Sequence, residues 1–341
     1  MYNKIGFVAV GQAGGNIGRL LEKRGFSVLY MNTSLEDLAT LKDVKHKYHI
    51  TGGEGCNKDR TKAKQLVVSD FDNIFSKIND TLKVEMIFVI FAAGGGTGSG
   101  AGPMLTDMLI AEGVNVGIVT VLPAKSESIK TQINAYECFA ELVSIENTGS
   151  CFVIDNEKSA DRLNLNATFV NAFNAYIQIP MLYHNKKGNV DTAEIMESFK
   201  AHGMAKLKQY SNTVIADMVN IDNDIFAPME HDKVIKYLVC ACDESIPDMQ
   251  EITTAVGEPF DIFRAYTQKE AIILMSGLSY PMIRLEDINE RIQSNKESIV
   301  KNLSSGLNSS LTATFDFLTP KQEQKPKKTH KTRDDIFSKY L

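Results

Sequence analysis

The sequence has no apolar run long enough to span a membrane. Its longest uninterrupted apolar stretch, residues 86–93, is far shorter than the roughly 20 residues that a transmembrane helix requires. The first residues lead directly into a strand-like segment, without the layout of a signal peptide. We therefore expect a cytoplasmic protein.

Cysteines are few, and the chain has no excess of positive charge. The five cysteines are an odd, scattered set, which is typical of a reducing compartment rather than of a disulfide scaffold. Cys240 and Cys242 have no second pair at ligand spacing, so we expect no metal site there. The formal net charge of −5 gives no general case for nucleic-acid binding. The 341 residues are enough for two domains of roughly 100 to 200 residues each.

Two common phosphate-binding fingerprints are also missing. A P-loop is excluded because no Gly-Lys-Ser/Thr follows either of the main glycine clusters. A dinucleotide-binding loop would need Gly-x-Gly-x-x-Gly and an acidic residue after the next strand. Counting from Gly11, the sixth position is Asn16, and the second strand ends in Asn32-Thr33-Ser34.

What the chain has instead is a glycine-rich stretch, residues 94–100, between an apolar strand and a helical pattern that resumes near Met104. Glycines let backbone N–H groups approach an anion, and the helix that follows adds the positive end of its dipole. The alternative, a flexible linker, is disfavoured because linkers do not join an apolar strand to an amphipathic helix. The stretch predicts a phosphate cradle, and residues 11–16 form a second turn of this kind.

Near-continuous apolar strands alternate with amphipathic helices through the first half of the chain. This order predicts an α/β fold whose parallel sheet is covered on both faces. Ligands bind such sheets at the carboxyl ends of the strands. The glycine turns, including a third at residues 51–55, and the pair Asp155-Asn156 all fall at those ends. The predicted strands are residues 4–10, 28–31, 46–50, 86–91, 114–122 and 150–154.

The stretch Gly-Gly-Gly-Thr-Gly-Ser-Gly at residues 94–100 resembles the signature loop of the tubulin and FtsZ superfamily of GTP-dependent filament formers. Residues 11–16 resemble the first phosphate loop of that family, and residues 153–157 are similar to its loop whose Asn contacts the nucleotide. Glu127 matches the ribose-contacting Glu of the FtsZ branch, but the Arg four residues later in FtsZ is Thr131 here.

The resemblance implies a GTP or GDP site, with Mg²⁺ held chiefly by phosphate oxygens and water. The predicted site combines glycine and polar residues of these strand ends and loops. They are Gly11, Gln12, Ala13, Gly14, Asn16, Asn32, Gly53, Gly94, Gly95, Gly96, Thr97, Gly98, Ser99, Glu127 and Asn156.

The resemblance also implies a central helix that begins with an aromatic residue stacked on guanine. Residues 167–179 have helical spacing, with Phe169 as the candidate ring and Asn174 as the candidate guanine-reading amide. Three other amides, Asn164, Asn166 and Asn171, compete for the second role. A core aromatic stripe with surface Asn residues is the alternative.

Residues 188–194 resemble the catalytic loop of the family, which completes the site of a neighbouring subunit. The resemblance assigns Glu194 to polarising water, with Asn189 and Asp191 in support. Carboxylates suit this role because phosphoryl transfer depends on positioning and charge stabilisation. A helix N-cap at Asp191 or Thr192, with Glu194 in the first turn, is a compatible structural role.

From about residue 213, strand-like runs at 214–219, 234–242, 262–266, 271–275 and 311–317 alternate with helical patterns at 248–256 and 285–303. We expect a GTP-binding domain at 1–165, a central helix at 166–187, a second α/β domain at 188–318 and a disordered basic tail at 319–341. Between Lys321 and Arg333 there are six basic residues and one Glu, which predicts a solvated arm. The segment from Asp334 to Leu341 restores large apolar residues, as a docking peptide would. A merely solubilising tail is the alternative.

The compact length and basic tail are more similar to the plasmid and bacteriophage TubZ branch than to eukaryotic tubulins. The resemblance implies a GTPase of the bacterial cytoplasm that polymerises with itself, head to tail, and segregates plasmid or phage DNA. Its expected partner is a TubR-like adaptor on centromere DNA, bound through the tail from Lys321 to Leu341. An FtsZ-type cell-division ring protein is the alternative, and a soluble dinucleotide-class enzyme is a more distant one.

Overall fold

The computed structural model describes residues 1–211, 224–230, 232–244, 249–268, 270–304 and 333–341. The strands in these ranges are β1 (Ile5–Val10), β2 (Ser27–Asn32), β3 (His46–His49), β4 (Met86–Ala92), β5 (Val116–Leu122), β6 (Ser150–Asp155), β7 (Gly203–Tyr210), β8 (Val234–Asp243), β9 (Glu258–Thr267) and β10 (Ala271–Leu278). The α-helices are α1 (Gly11–Lys23), α2 (Leu35–Thr40), α3 (Arg60–Thr81), α4 (Thr97–Ala111), α5 (Ile129–Val143), α6 (Arg162–Leu182), α7 (Thr192–Phe199), α8 (Gln250–Val256), α9 (Met282–Ser304) and α10 (Arg333–Tyr340).

The strands form one sheet in the order β3-β2-β1-β4-β5-β6-β7-β10-β8-β9. The seven strands from β3 to β7 in this order are parallel, which confirms the predicted parallel sheet. After β1 the chain forms β2 and β3 on one side of β1, and then forms β4 on the other side. The connections that follow β1 and β4 therefore run in opposite directions across the sheet. Sheets of this kind bind ligands at the carboxyl ends of two such strands.

Helices cover both faces of the sheet, as near-continuous apolar strands require. On one face α3, α4, α5, α9 and α10 contribute to a single hydrophobic cluster. On the other face α1, α6 and α7 enclose a second cluster that is rich in phenylalanine. Across the described ranges, every helix is too short or too polar to cross a bilayer.

Strand β7 was not predicted from the sequence, because lysines alternate with its apolar residues. Lys206 and Lys208 are both buried, and their Nζ atoms lie 3.3 and 3.4 Å from the Asp224 Oδ2 atom. Buried charges need such pairing, so this local contact lets a lysine-bearing segment form an inner strand. Through β7 the sheet continues past the predicted domain boundary at residue 165, and the division into two domains stays a prediction.

The other predictions for the second half are mostly matched. The predicted strands at 234–242, 262–266 and 271–275 fall on β8, β9 and β10, although β10 runs antiparallel to both β7 and β8. The predicted strands at 214–219 and 311–317 lie outside the described residues.

The last nine residues differ from the disordered tail predicted for 319–341. Helix α10 packs against the hydrophobic cluster that it shares with α3, α4, α5 and α9, with Ile336 fully buried and Tyr340 5% exposed. At its ends, Arg333 pairs with Glu112 and Asp72, and the Lys339 Nζ atom lies 3.0 Å from the Asp107 Oδ2 atom. Apolar burial and charge pairing together hold the helix, whereas the arm at 319–332 lies outside the described residues.

We expect Ile336→Asp to release α10, because a carboxylate cannot be buried at this position without a partner. An unpacked helix of eight residues is only marginally stable in water, so its amides should exchange at nearly the rate of an unstructured peptide. Hydrogen–deuterium exchange of residues 333–341 measures this. Leu341→Asp is the control, because Leu341 is 61% exposed. Equal protection in the two variants would contradict the packing described here.

Candidate functional site

A cavity of about 550 Å³ opens at the carboxyl ends of β1, β2, β4, β5 and β6. It is large enough for a nucleotide, since pockets for small ligands typically range over about 300 to 1,000 Å³. The predicted residues that line it are Gly11, Gln12, Ala13, Asn16, Asn32, Gly94, Gly95, Gly96, Thr97, Gly98, Glu127 and Asn156. The sheet thus brings together loops that are far apart in the sequence.

Two helices, α1 and α4, begin at this cavity. Within the described part of the chain, neither has a side-chain cap on its first N–H groups. By contrast, three nearby helices are capped by Ser34 on α2, Asp59 on α3 and Ser128 on α5. Uncapped N–H groups and two helix dipoles that face one cavity form a site for an anion with several negative charges.

Glycine is required in the β4–α4 loop because neighbouring atoms approach it closely. A Cβ atom at Gly94 would lie 2.3 Å from the Thr131 Cγ2 atom, and one at Gly96 would lie 2.8 Å from the backbone of Lys58. Asn134 reinforces this packing, since its Nδ2 donates to the carbonyl oxygens of Gly95 (2.8 Å) and Lys58 (3.0 Å). The loop backbone is therefore presented to the cavity with no side chain in the way.

Glu127 organises the opposite wall. Its Oε1 atom accepts hydrogen bonds from the backbone N–H of Ala124 (3.1 Å), from Asn156 Nδ2 (3.3 Å) and from Arg162 Nη2 (3.0 Å). These donors belong to the β5–α5 loop, the β6–α6 connection and the first turn of α6. One carboxylate thus ties together three segments that line the cavity, and both Glu127 and Asn156 are part of that lining.

Three predicted residues support the site without lining it. A Cβ at Gly14 would lie 2.5 Å from the Ile90 carbonyl oxygen, so this glycine lets α1 pack on β4. Gly53 is packed against Thr33 in the same way, with only 2.6 Å to the Thr33 carbonyl oxygen. Ser99 is buried, and its Oγ donates to the Gly95 carbonyl oxygen.

The structure does not support the roles predicted for Phe169 and Asn174. Phe169 is fully buried among aromatic rings that include Phe152 and Phe173. The Asn174 Oδ1 atom accepts a hydrogen bond of 2.7 Å from the Tyr2 hydroxyl, and neither residue lines the cavity. Helix geometry accounts for the difference, because residues at the start of α6 border the cavity, whereas Phe169 lies about one turn beyond Asn166 and is buried in the core.

Leu163 and Asn166, on the first turns of α6, line the cavity instead. Asn166 was among the four competing amides, whereas no sequence signal distinguished Leu163. Other lining residues that were not predicted are Val10, Ser34, Asp37, Gly55, Cys56, Asn57, Lys58, Ala92, Val121, Pro123, Thr131 and Arg162. For the lining residues at 55–58, the sequence did contain a signal, namely the third glycine-rich turn at residues 51–55.

The predicted catalytic residues Asn189, Asp191 and Glu194 do not line the cavity. Asp191 caps α7, and its backbone N–H donates to Glu194 Oε2 (2.8 Å) in a capping box. The loop follows the far end of α6, whose 21 residues span about 30 Å at about 1.5 Å per residue. Residues 189–194 therefore lie outside the cavity lining, on the segment that follows the last turn of α6.

Arg284, on α9, is a further residue that sequence reasoning missed. Its Nε donates to Asp155 Oδ2 (2.8 Å) and its Nη2 donates to the Pro123 carbonyl oxygen (2.9 Å). Both Arg284 and Asp155 are buried, so each charge depends on the other. The contact fixes the two loops that carry Glu127 and Asn156 to the second half of the chain.

Comparison with known proteins gives a family for this arrangement. Residues 4–164 match the model of the Tubulin/FtsZ family, GTPase domain. The tubulin-like protein TubZ of Clostridium botulinum C phage is 29% identical over 310 residues, which cover 86% of this chain and 84% of that protein.

Solved structures agree with the sequence comparison. The crystal structure of Clostridium botulinum phage c-st TubZ has a TM-score of 0.79 and 26% identity, and the match covers 87% of this chain and 100% of the other. A GTPγS-form protofilament structure of TubZ from Bacillus thuringiensis serovar israelensis shares the fold, with a TM-score of 0.75 at 14% identity, over 89% of this chain and 94% of the other.

The cavity lies within the matched range or on the first turns of the helix that follows it. Residues 4–164 therefore match a Tubulin/FtsZ-family GTPase domain, and the chain over most of its length is similar to phage TubZ.

Proposed function

We propose that this protein binds GTP in the cavity and hydrolyses it to GDP and phosphate in polymers of itself. The observation that carries the proposal is the pair of uncapped helix N-termini, α1 and α4, facing one cavity of nucleotide size. The family match over residues 4–164 supports guanine nucleotide as the ligand.

Each wall of the cavity suits one part of the nucleotide. The N–H groups at the starts of α1 and α4 would hold the phosphates, and Glu127 would accept from a ribose hydroxyl. Asn166 can both donate to and accept from the edge of guanine. In the described ranges no group of three or more acidic, His or Cys side chains could hold a metal ion, so Mg²⁺ would take most ligands from phosphate and water.

Hydrolysis would require a second copy of the chain. Because Glu194 does not line the cavity of its own chain, we assign it to the cavity of a neighbour. Repeated head-to-tail contacts of this kind build an open filament. The protofilament form of a TubZ with the same fold supports this assembly. In that position the Glu194 carboxylate would orient water for in-line attack, with Asp191 and Asn189 in support.

Glu194→Gln is the sharpest test of this assignment. Glutamine preserves the acceptor that bonds to the Asp191 N–H, so α7 keeps its cap, but the negative charge that polarises water is lost. We expect GTP-dependent polymer to form and persist, while phosphate release falls on the order of 100-fold or more. Light scattering and a phosphate-release assay measure the two effects.

Glu197→Gln, one turn further along α7, is the matched control, since its carboxylate accepts from the Tyr237 hydroxyl. It should hydrolyse GTP at close to the normal rate. Normal phosphate release by the Glu194 variant, or equal losses in both variants, would contradict the catalytic role.

Asn166→Ala tests how the base is recognised. We expect the affinity for GDP to fall about 10-fold or more and the preference over ADP to narrow, because a site built to hydrogen-bond a polar group loses discrimination without that bond. Asn164→Ala is the control, because Asn164 is exposed and lies outside the cavity lining. Competition against a fluorescent guanine nucleotide gives both constants. Equal effects of the two substitutions would remove Asn166 from the site.

We also propose that the filaments move plasmid or phage DNA through a DNA-bound adaptor that binds the tail. The support is the likeness to phage TubZ over most of the chain and the basic composition of residues 321–333. Ile336 and Tyr340 of α10 are buried against the rest of the protein. We therefore expect an adaptor to use the basic segment before α10, residues 321–332. A cell-division role of the FtsZ type is the alternative.

A bait experiment separates these two roles. We expect the full-length chain to capture a DNA-binding protein with its DNA from a lysate of the native host. A variant with Lys325, Lys327, Lys328 and Lys331 changed to Gln should lose most of that capture, because phosphate-rich and acidic partners are held by these charges. Mass spectrometry identifies the partner. Recovery of membrane-anchored division proteins in its place would favour the alternative.

A further inference from the structure

Lys58 is a charged residue of the cavity lining that has no role in the proposal so far. It lies between β3 and α3, and its Nζ atom donates to Thr131 Oγ1 (2.7 Å) and to Ser128 Oγ (3.1 Å). Both acceptors are neutral hydroxyls at the start of α5. Within the described residues, no carboxylate lies within 4.0 Å of this ammonium group.

The other charged groups that line the cavity are already engaged. Arg162 forms an ion pair of 3.0 Å with Glu127, and Asp37 accepts a hydrogen bond of 3.2 Å from Asn32 Nδ2. A bound anion would have to compete with Glu127 for Arg162. It would compete only with two neutral hydroxyl groups for Lys58, which is a weaker opposition than a carboxylate because no opposite charge has to be displaced.

The backbone around Lys58 is held against the glycine loop. Asn57 and Lys58 have φ values of +43° and +60°, a conformation that ordinary side chains seldom adopt. Two contacts maintain this conformation. Gly96 has no Cβ atom, so the Lys58 backbone can pack directly against it. The side-chain amide of Asn134 donates hydrogen bonds to the carbonyl oxygens of both Lys58 and Gly95. Unusual backbone conformations of this kind persist where the surroundings fix them, and they cluster at ligand-binding sites.

The position of Lys58 along the cavity indicates which part of a ligand it meets. Asn156, Arg162 and Asn166 mark the sugar and base end, on the β6–α6 side. Lys58 lies instead beside Gly96, where α4 begins. We propose that Lys58 binds the terminal phosphate of the nucleotide and thereby makes the site prefer a nucleoside triphosphate to a diphosphate. The inference rests on the proposed GTP site and adds to it the residue that reads the phosphate number.

The chemistry of lysine suits this task. Its ammonium group is a compact charge on a flexible stem, so it can turn from the two hydroxyls to a phosphate oxygen without moving the backbone. The hydroxyls of Ser128 and Thr131 then keep the group in place when a diphosphate is bound. With a triphosphate bound, the Lys58 ammonium group would pair with the terminal phosphate. With a diphosphate bound, it would stay bonded to the two hydroxyls.

The test compares Lys58→Gln with Lys62→Gln, a matched change at an exposed lysine on the first turn of α3. Affinities for GDP and for a slowly hydrolysed GTP analogue are measured by competition with a fluorescent guanine nucleotide, below the concentration at which polymer forms. We expect the Lys58 variant to bind the triphosphate at least about 10-fold more weakly and GDP within about 2-fold of the unmodified protein. The Lys62 variant should be unchanged, and Lys58→Arg should recover most of the preference.

Three results would overturn the inference. Equal losses for the two nucleotides would place the lysine on a phosphate common to both, or show only a structural effect. Unchanged affinities would exclude the contact, and failure of Lys58→Arg to recover any preference would show that the charge is not what matters. Normal GDP binding by the Lys58 variant keeps this outcome separate from the proposed function, which would itself fail only if the unmodified protein bound no guanine nucleotide.

Discussion

The meeting of two uncapped helix N-termini is the constraint on which the rest of this structure depends. Helices α1 and α4 start at neighbouring parallel strands, and their first N–H groups face one cavity. Such groups are costly to leave unpaired away from water, and an anionic ligand can satisfy several of them at once. Glycines at the starts of these helices let neighbouring segments approach closely, since a Cβ atom at Gly14 would meet β4 and one at Gly96 would meet the Lys58 backbone.

The cavity is lined by the first half of the chain, and its walls are tied to the second half by Arg284. Glu127 joins the β5–α5 loop to the β6–α6 connection and to α6, while Arg284 reaches from α9 to Asp155 and Pro123. These contacts attach α6 and α9 to the loops that line the cavity.

The residues to which the proposed function assigns catalysis lie outside the cavity. The start of α6 lines the cavity, and the capped start of α7, with Asp191 and Glu194, follows α6 along the chain. In the proposed function, the cavity and these residues meet only between chains. Under the proposed function, an isolated subunit would hold its nucleotide and only an assembled one would consume it.

The sequence by itself determined the parallel sheet, the two glycine loops and most of the residues at the strand ends. Apolar strands with glycine turns leave few alternatives, because a turn that must admit an anion can use little else. It also determined the spacing of Asn189, Asp191 and Glu194, which is a local property of one helix start.

Only the tertiary structure decided which face of each helix meets the cavity. Phe169 and Asn174 were placed in the site by their order along the chain, yet the rotation of α6 directs Leu163 and Asn166 there instead. Thr131, which stands where FtsZ proteins carry Arg, accepts a hydrogen bond from Lys58 of another loop. Likewise, Arg284 reaches Asp155 across 129 positions. Contacts such as these depend on how elements pack against one another, and local sequence patterns do not encode that packing.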